Sequence, residues 1–378
     1  MKNTILQPWR CAVIKVGSGL IAPGGKKCSS KFTLPIAGFI SECRDQGKDI
    51  ILVSSGAVAA GLSTQPQMIK SILHSIPEKQ ALAAIGQTML MASWSRFFDF
   101  PCSQILLTHD DIHDRKRFVN AKNAIRKLLE LGTLPIVNEN DTVATDELRV
   151  GDNDNLAAYV AMLAEADLLI ICTDIDGLYD ADPRRHPEAR LIQVVEKIDS
   201  SIFAMAGGSR NPIATGGMKT KIEAAQKATI RGIDTIILNS TRREALDQLL
   251  KGNADGTLFR KSTSPMTAKK HWMLHALLSC GRVVVDAGAA RALQQNGASL
   301  LPSGVVAMEG DFRKWDAVQL VVKEGRVFRG IAKGITQYGS LELKKIKGRK
   351  SAEIKGILGF FRAEEVVRRG EMVLTDKT

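Results

Sequence analysis

Several short segments of this 378-residue chain carry more chemistry than a turn requires. Ala12–Gly19 reads Ala-Val-Ile-Lys-Val-Gly-Ser-Gly. A lysine inside such an apolar run is costly to bury unless its ammonium meets an anion. Gly17, Ser18 and Gly19 then leave backbone N–H groups open to a phosphate. Ser54-Ser55-Gly56-Ala57 follows a second apolar run. Small residues at a strand-to-helix turn expose amides and a hydroxyl as an anion seat, although tight packing of a helix on a sheet would also select them. Asn138-Glu139-Asn140-Asp141 and Gly151-Asp152-Asn153-Asp154-Asn155 are dense in carboxylates and amides. Such residues suit turns; in pairs they also suit recognition of an ammonium, orientation of lysines or a water-mediated hold on Mg2+. Thr173-Asp174 closes another apolar run, and Thr215-Gly216-Gly217-Met218-Lys219-Thr220-Lys221 opens an Ala-rich helix. Lysines in a first turn oppose the helix dipole, which makes sense if Lys219 or Lys221 faces bound phosphates. The combined chemistry is anion binding by lysines and amides, with carboxylates close by.

Two other phosphate-binding schemes fail. Gly17-x-Gly19-x-x-Ala22 nearly matches the dinucleotide fingerprint, but that fingerprint needs a helix opening in the glycine turn, and Pro23, Gly24 and Gly25 would break it. No G-x-x-x-x-G-K-[ST] P-loop occurs. The six histidines lie outside every segment named above.

The elements that must position these residues alternate. Ala12–Val16, Ile50–Val53, Ser103–Leu107, Leu134–Val137, Leu168–Cys172 and Thr235–Leu238 read as buried strands. Helical patterns at Leu34–Gln46, Glu78–Phe98, Phe118–Leu131, Asp154–Ala164 and Lys219–Arg231 lie between them. The expected fold is α/β, an αβα sandwich on a mainly parallel sheet. Ligands on such sheets gather beyond the carboxyl ends of the strands, where the polar segments fall. From Arg282 the strands turn short and glycine-punctuated (Arg282–Val285, Gly304–Met308, Ala317–Val322, Val327–Ala332), the pattern of a small β-barrel-like domain. The expected division is 1–261, a linker over 262–280 with a short helix at His271–Ser279, and 281–378.

Composition excludes several classes. At 44% hydrophobic and 24% charged residues, disordered and fibrous proteins are out. The apolar runs are far shorter than the roughly 20 residues a bilayer needs, and Met1–Arg10 shows no leader pattern. Six scattered cysteines without a CxxC read as reduced thiols of a cytoplasmic protein. Net charge is +12, of which Arg282–Thr378 supplies 18 basic less 11 acidic residues, +7. Such a patch can neutralise nucleic-acid phosphates or act as a solvated face.

Taken together, Val13-Ile14-Lys15-Val16-Gly17, Ser54-Ser55-Gly56-Ala57, Asn138-Glu139-Asn140-Asp141, Gly151-Asp152-Asn153-Asp154-Asn155, Thr173-Asp174 and Thr215-Gly216-Gly217-Met218-x-Thr220-Lys221 resemble the amino-acid kinase family. The resemblance is to its branch that acts on glutamate and carries a C-terminal PUA domain, and it spans nearly the whole chain. It implies ATP- and Mg2+-dependent phosphorylation of the γ-carboxylate of L-glutamate, giving glutamyl 5-phosphate on the route to proline. Carried over by matching positions, Lys15 and Lys221 hold and neutralise the transferring phosphoryl group, and Asp154 orients them. Ser55, Asp141 and Asn153 bind glutamate, supported by Asp152. Lys15, Thr173, Asp174 and the loop of Thr215, Gly216, Gly217, Met218, Lys219, Thr220 and Lys221 hold ATP. No protein metal ligand is implied, Mg2+ being held by the ATP phosphates and water. The resemblance also implies a homodimer or homotetramer, proline as a possible feedback inhibitor acting near Leu62–Gln80, and hand-off of product to glutamyl phosphate reductase. RNA is not an expected partner of the PUA domain, nor is a membrane. The alternatives are another kinase of this fold, acting on N-acetylglutamate, aspartate or UMP, or an RNA-binding PUA protein. Asp141 and Asn153 favour a substrate with a free α-ammonium.

Overall fold

The computed structural model describes residues 4–25, 28–65, 75–144, 153–183, 185–206, 217–263, 279–325 and 327–375. The chain divides into two compact units, Met1–Pro265 and Met266–Thr378.

The first unit is built on an eight-stranded sheet. Its strands are β1 (Cys11–Val16), β2 (Asp49–Ser54), β3 (Cys102–Leu107), β4 (Leu134–Glu139), β5 (Leu168–Thr173), β6 (Val194–Val195), β7 (Asp234–Asn239) and β8 (Thr257–Phe259), in the order β3-β4-β2-β1-β5-β7-β8-β6. The first six in that order run parallel, and β8 turns antiparallel against β7. The sheet is therefore mainly parallel, as the alternating pattern predicts. Between strands run α1 (Ser30–Asp45), α2 (Ala57–Leu62), α3 (Ile76–Ser95), α4 (Arg115–Glu130), α5 (Asn153–Leu163), α6 (Met218–Ile230) and α7 (Arg243–Leu250). All six strands expected here occur, each one or two residues longer than the apolar run that announced it. The helix opening in the Gly17 turn stops at Ile21, before Pro23, too short for a dinucleotide site.

The core explains the strand composition. Ile14, Val16, Ile50, Leu52, Ile136, Ile170 and Ile236 are fully buried, each worth about 1.5–3 kcal/mol of transfer free energy. Helix α5 is buried along its whole length, which fits a segment apolar all round from Leu156 onward and set deep in the molecule. Helices α2 and α3 pack backbone to backbone. A Cβ on Gly61 would stand 2.0 Å from Leu82 O, and one on Gly86 would stand 1.8 Å from Ala57 O.

The second unit has a five-stranded sheet of β9 (Gly281–Val285), β10 (Val305–Gly310), β11 (Ala317–Glu324), β12 (Val327–Thr336) and β13 (Val367–Leu374), ordered β10-β9-β11-β12-β13. Only β9 and β11 pair in parallel. Among the described residues three helices accompany it, α8 (Ala287–Gln295), α9 (Ser340–Ile346) and α10 (Ile354–Leu358). Its core centres on Val283, Leu293, Leu320, Ile331 and Tyr338. The Tyr338 hydroxyl donates to Ala363 O at 2.5 Å and accepts from Ala363 N at 3.0 Å. The short helix expected at His271–Ser279 falls almost wholly outside the described residues.

Candidate active site

Lys15 is the fifth residue of β1, in register with Val53 of β2 and Ile171 of β5. A central strand leaves it no route to solvent, and it is only 4% exposed. Its ammonium lies 2.5 Å from Asp154 Oδ1, in the first turn of α5. From the first turn of α6, Lys221 Nζ lies 2.9 Å from Asp154 Oδ2. Thr220 Oγ1 is 3.0 Å from that same oxygen and 2.8 Å from Gly217 O.

One fully buried carboxylate thus joins two nearly buried ammoniums. Burial alone would push the Asp154 acid up, but the charges of Lys15 and Lys221 override it and hold the group at about 2. Asp154 is therefore ionised at neutral pH, and the three groups together retain one net positive charge. Such an arrangement attracts an anion and fixes the direction from which two cations meet it. The electrostatic mismatch of lysines in the first turn of α6 is resolved for Lys221 by Asp154; Lys219, two residues earlier, is exposed.

A second set of polar groups lies beside this one. Asn153 Nδ2 donates to Ser55 Oγ at 2.7 Å and to Asn138 Oδ1 at 2.9 Å. Asn153 Oδ1 is buried, with no hydrogen-bond partner among the described residues. Asn138 sits within β4 rather than in the loop beyond it, because the strand runs on to Glu139, and it is 2% exposed. Asn138 Nδ2 in turn donates to Gln87 Oε1 of α3 at 2.9 Å. At the end of β2, Ser54 Oγ accepts from Trp94 Nε1 at 2.9 Å, and Gly56, which caps α2, has φ +105° with Ile21 Cγ2 2.8 Å from where its Cβ would be.

The structure thus brings together Lys15, Asp154, Lys221 and Thr220, and likewise Ser55, Asn153 and Asn138. Asp141 is half-buried just past the end of β4. Thr173 closes β5, its hydroxyl 3.3 Å from Asp174 Oδ1, and Asp174 itself is exposed. Gly217 and Met218 open α6. Asp152, Thr215 and Gly216 lie outside the described residues, as do residues 66–74 within Leu62–Gln80. Sequence reasoning missed Gln87, and left Asn138 in a loop motif without a role. The available signal was a lone glutamine on the apolar stripe Ala83, Gln87, Leu90, Trp94 of α3.

The Amino acid kinase family model matches residues 10–239, and the PUA domain model matches residues 281–358. A glutamate 5-kinase of Salinibacter ruber is 58% identical over 375 residues, covering 99% of this chain and 100% of its own. One from Idiomarina loihiensis is 50% identical over 97% of this chain and 98% of its own. Among solved structures, a UMP kinase from Bacillus anthracis is 14% identical, with a TM-score of 0.48 over 68% of this chain and 98% of its own.

Proposed function

The chain belongs to the amino acid kinase family, and on that premise we propose that it transfers the γ-phosphoryl group of ATP to the γ-carboxylate of L-glutamate, opening proline biosynthesis. The observation that carries the reading is the buried carboxylate of Asp154 shared by Lys15 and Lys221. The choice of glutamate is supported by near full-length relatives named glutamate 5-kinase.

A glutamate carboxyl titrates near 4.3 in water, so the nucleophile is already ionised at neutral pH and needs no general base. An oxygen of the γ-carboxylate attacks the γ-phosphorus in line. The bond from that phosphorus to the β–γ bridging oxygen breaks, and ADP leaves with the electron pair. Charge spreads over the three equatorial oxygens, so catalysis is mostly positioning and neutralisation. Lys15 and Lys221 supply that neutralisation, and Asp154 holds both ammoniums pointing at one place. Ser55, Asn153 and Asp141 take the glutamate. Asn153 Oδ1, a buried acceptor lacking a donor among the described residues, suits the α-ammonium. The Ser55 hydroxyl, which accepts from Asn153, keeps its proton for a carboxylate. Asp152 supports the same substrate. Thr173, Asp174 and the Thr215–Lys221 loop take the nucleotide.

Among the described residues no three His, Cys, Asp or Glu side chains converge as a metal cage, and Asp154 is engaged by two lysines. In this reading Mg2+ would enter as part of the MgATP substrate, where it would offset phosphate charge. Assembly as a homodimer or homotetramer belongs to the same reading, supported by an exposed uncharged stripe of Ala81, Ile85, Thr88 and Ala92 on α3. So do proline as a feedback inhibitor and delivery of the labile acyl phosphate to a reductase. Among the described residues no helix is long and apolar enough to cross a membrane.

The test is ADP release from MgATP with L-glutamate, N-acetylglutamate, aspartate or UMP, with hydroxylamine trapping any acyl phosphate. Turnover with glutamate alone, yielding the hydroxamate, is expected. Turnover with another acceptor and none with glutamate would overturn the assignment.

A further inference from the structure

We propose that Gln87 is a positioning residue which, through Asn138, sets the end of the Asn153 amide that faces the substrate and so sets the preference for an acceptor with an α-ammonium; this rests on the glutamate site proposed above. The segment from Gln80 to Ser95 carries no charged side chain, and Gln87 lies on its buried stripe, 8% exposed. A buried amide there needs partners, and it has two. Gln87 Nε2 donates to Gln104 Oε1 on β3 at 3.5 Å, and Gln87 Oε1 accepts from Asn138 Nδ2 at 2.9 Å.

The consequence is directional. Because Gln87 presents an oxygen, Asn138 turns its Nδ2 toward α3 and its Oδ1 toward Asn153. Asn153 must then turn Nδ2 inward, to Asn138 and to Ser55. Its Oδ1 is left as a buried acceptor without a donor among the described residues, the polarity that suits an ammonium and repels a carboxylate. The relay is held in place by the close packing of Gly86 on Ala57 O, which fixes the turn of α3 that carries Gln87. Without Gln87, either orientation of the Asn138 amide becomes available, and the Asn153 amide is no longer compelled to present its oxygen.

The experiment compares L-glutamate with glutarate, which has the same two carboxyls and no ammonium. The readout is the ratio of their kcat/KM values, both measured as trapped hydroxamate. Gln87→Leu removes the oxygen at similar volume and is expected to lower the ratio about tenfold or more, as loss of a buried hydrogen-bond partner implies. The KM for ATP should stay within about twofold, since uniform binding of the nucleotide is untouched. Gln87→Glu keeps an oxygen toward Asn138, while Gln104 can reverse its own amide, and it is expected to keep the ratio within about threefold of the wild type. A Gln87→Leu variant that loses activity equally on both acceptors would make the residue merely structural and overturn the proposal. Loss of discrimination in Gln87→Glu would overturn it independently, even if Gln87→Leu fails to fold. Absence of wild-type turnover with glutamate would instead remove the substrate reading and the proposal with it.

Discussion

Replacing Asp154 by asparagine deletes one charge and almost no volume. Asp154 is fully buried, with one ammonium at 2.5 Å and another at 2.9 Å. An asparagine could offer its single carbonyl oxygen to one lysine and would turn a competing donor toward the other. Breaking a buried ion pair from one side costs about 3–5 kcal/mol, because the remaining charge stays desolvated; here two ammoniums are stranded. We expect the variant to lose about 3–5 kcal/mol in urea unfolding at pH 7 and to recover part of it with saturating MgATP, whose phosphates replace the missing anion. Its kcat should fall by about 100-fold or more, the scale of removing one preorganised electrostatic group. The pH dependence adds a second readout. Burial raises the Asp154 acid, but Lys15 and Lys221 pull it below its ordinary 3.8 to about 2. A depressed value stabilises the fold above the unfolded-state value, and that stability is lost as pH falls from about 4 toward 2. At about 1.4 kcal/mol per unit the wild type should lose about 2 kcal/mol across that window from this group, and the variant should not. An Asp154→Asn protein with wild-type stability, wild-type kcat and the same acid profile would refute this account of the triad.

Three further outcomes follow from the same geometry. Lys221→Ala should lower kcat by about 100-fold or more while the fold survives, since it removes an ammonium aimed at developing charge; near-normal turnover would remove Lys221 from the site. Asp141→Ala should raise the KM for glutamate far more than that for ATP, and an equal rise in both would place Asp141 elsewhere. Gly86→Ala would put a Cβ 1.8 Å from Ala57 O, forcing α2 and α3 apart. It should destabilise the protein by about 2 kcal/mol or more, an overpacking cost, measurable as a lower urea midpoint.

Much of this was legible in the chain itself. A lysine within Ala12–Val16 can only be a charge carried into a core for a reason, and Asp154 and Lys221 supply that reason. The strands were legible because buried parallel strands are continuous apolar runs. Their ends were less so, since polar ladder residues such as Asn138 and Glu139 look like the start of a loop. That single ambiguity hid the buried Asn138. Gln87 left a weaker trace: it stands on the stripe Ala83, Gln87, Leu90, Trp94, but α3 is apolar on almost every side, so periodicity hardly separates its buried face from its exposed one. Thr220 belongs to the segment expected to hold the nucleotide, and its hydroxyl also lies against Asp154, a partner 66 residues away that no local pattern reveals. In the second unit β13 went unseen because Arg368, Arg369 and Gly370 interrupt its apolar residues. Of its residues Val367 and Met372 enter the core, with Leu374 packed against it.

The central claim is that a carboxylate oxygen of glutamate attacks phosphorus directly, between Lys15 and Lys221. Supplying L-glutamate labelled with oxygen-18 in its γ-carboxylate, with MgATP and hydroxylamine, tests it in one measurement. Hydroxylamine cleaves the acyl phosphate at its carbon–oxygen bond, so the phosphate released retains the bridging oxygen. The account predicts phosphate carrying one labelled oxygen for each hydroxamate formed. Unlabelled phosphate would mean that water, not the carboxylate, receives the phosphoryl group, and would contradict it.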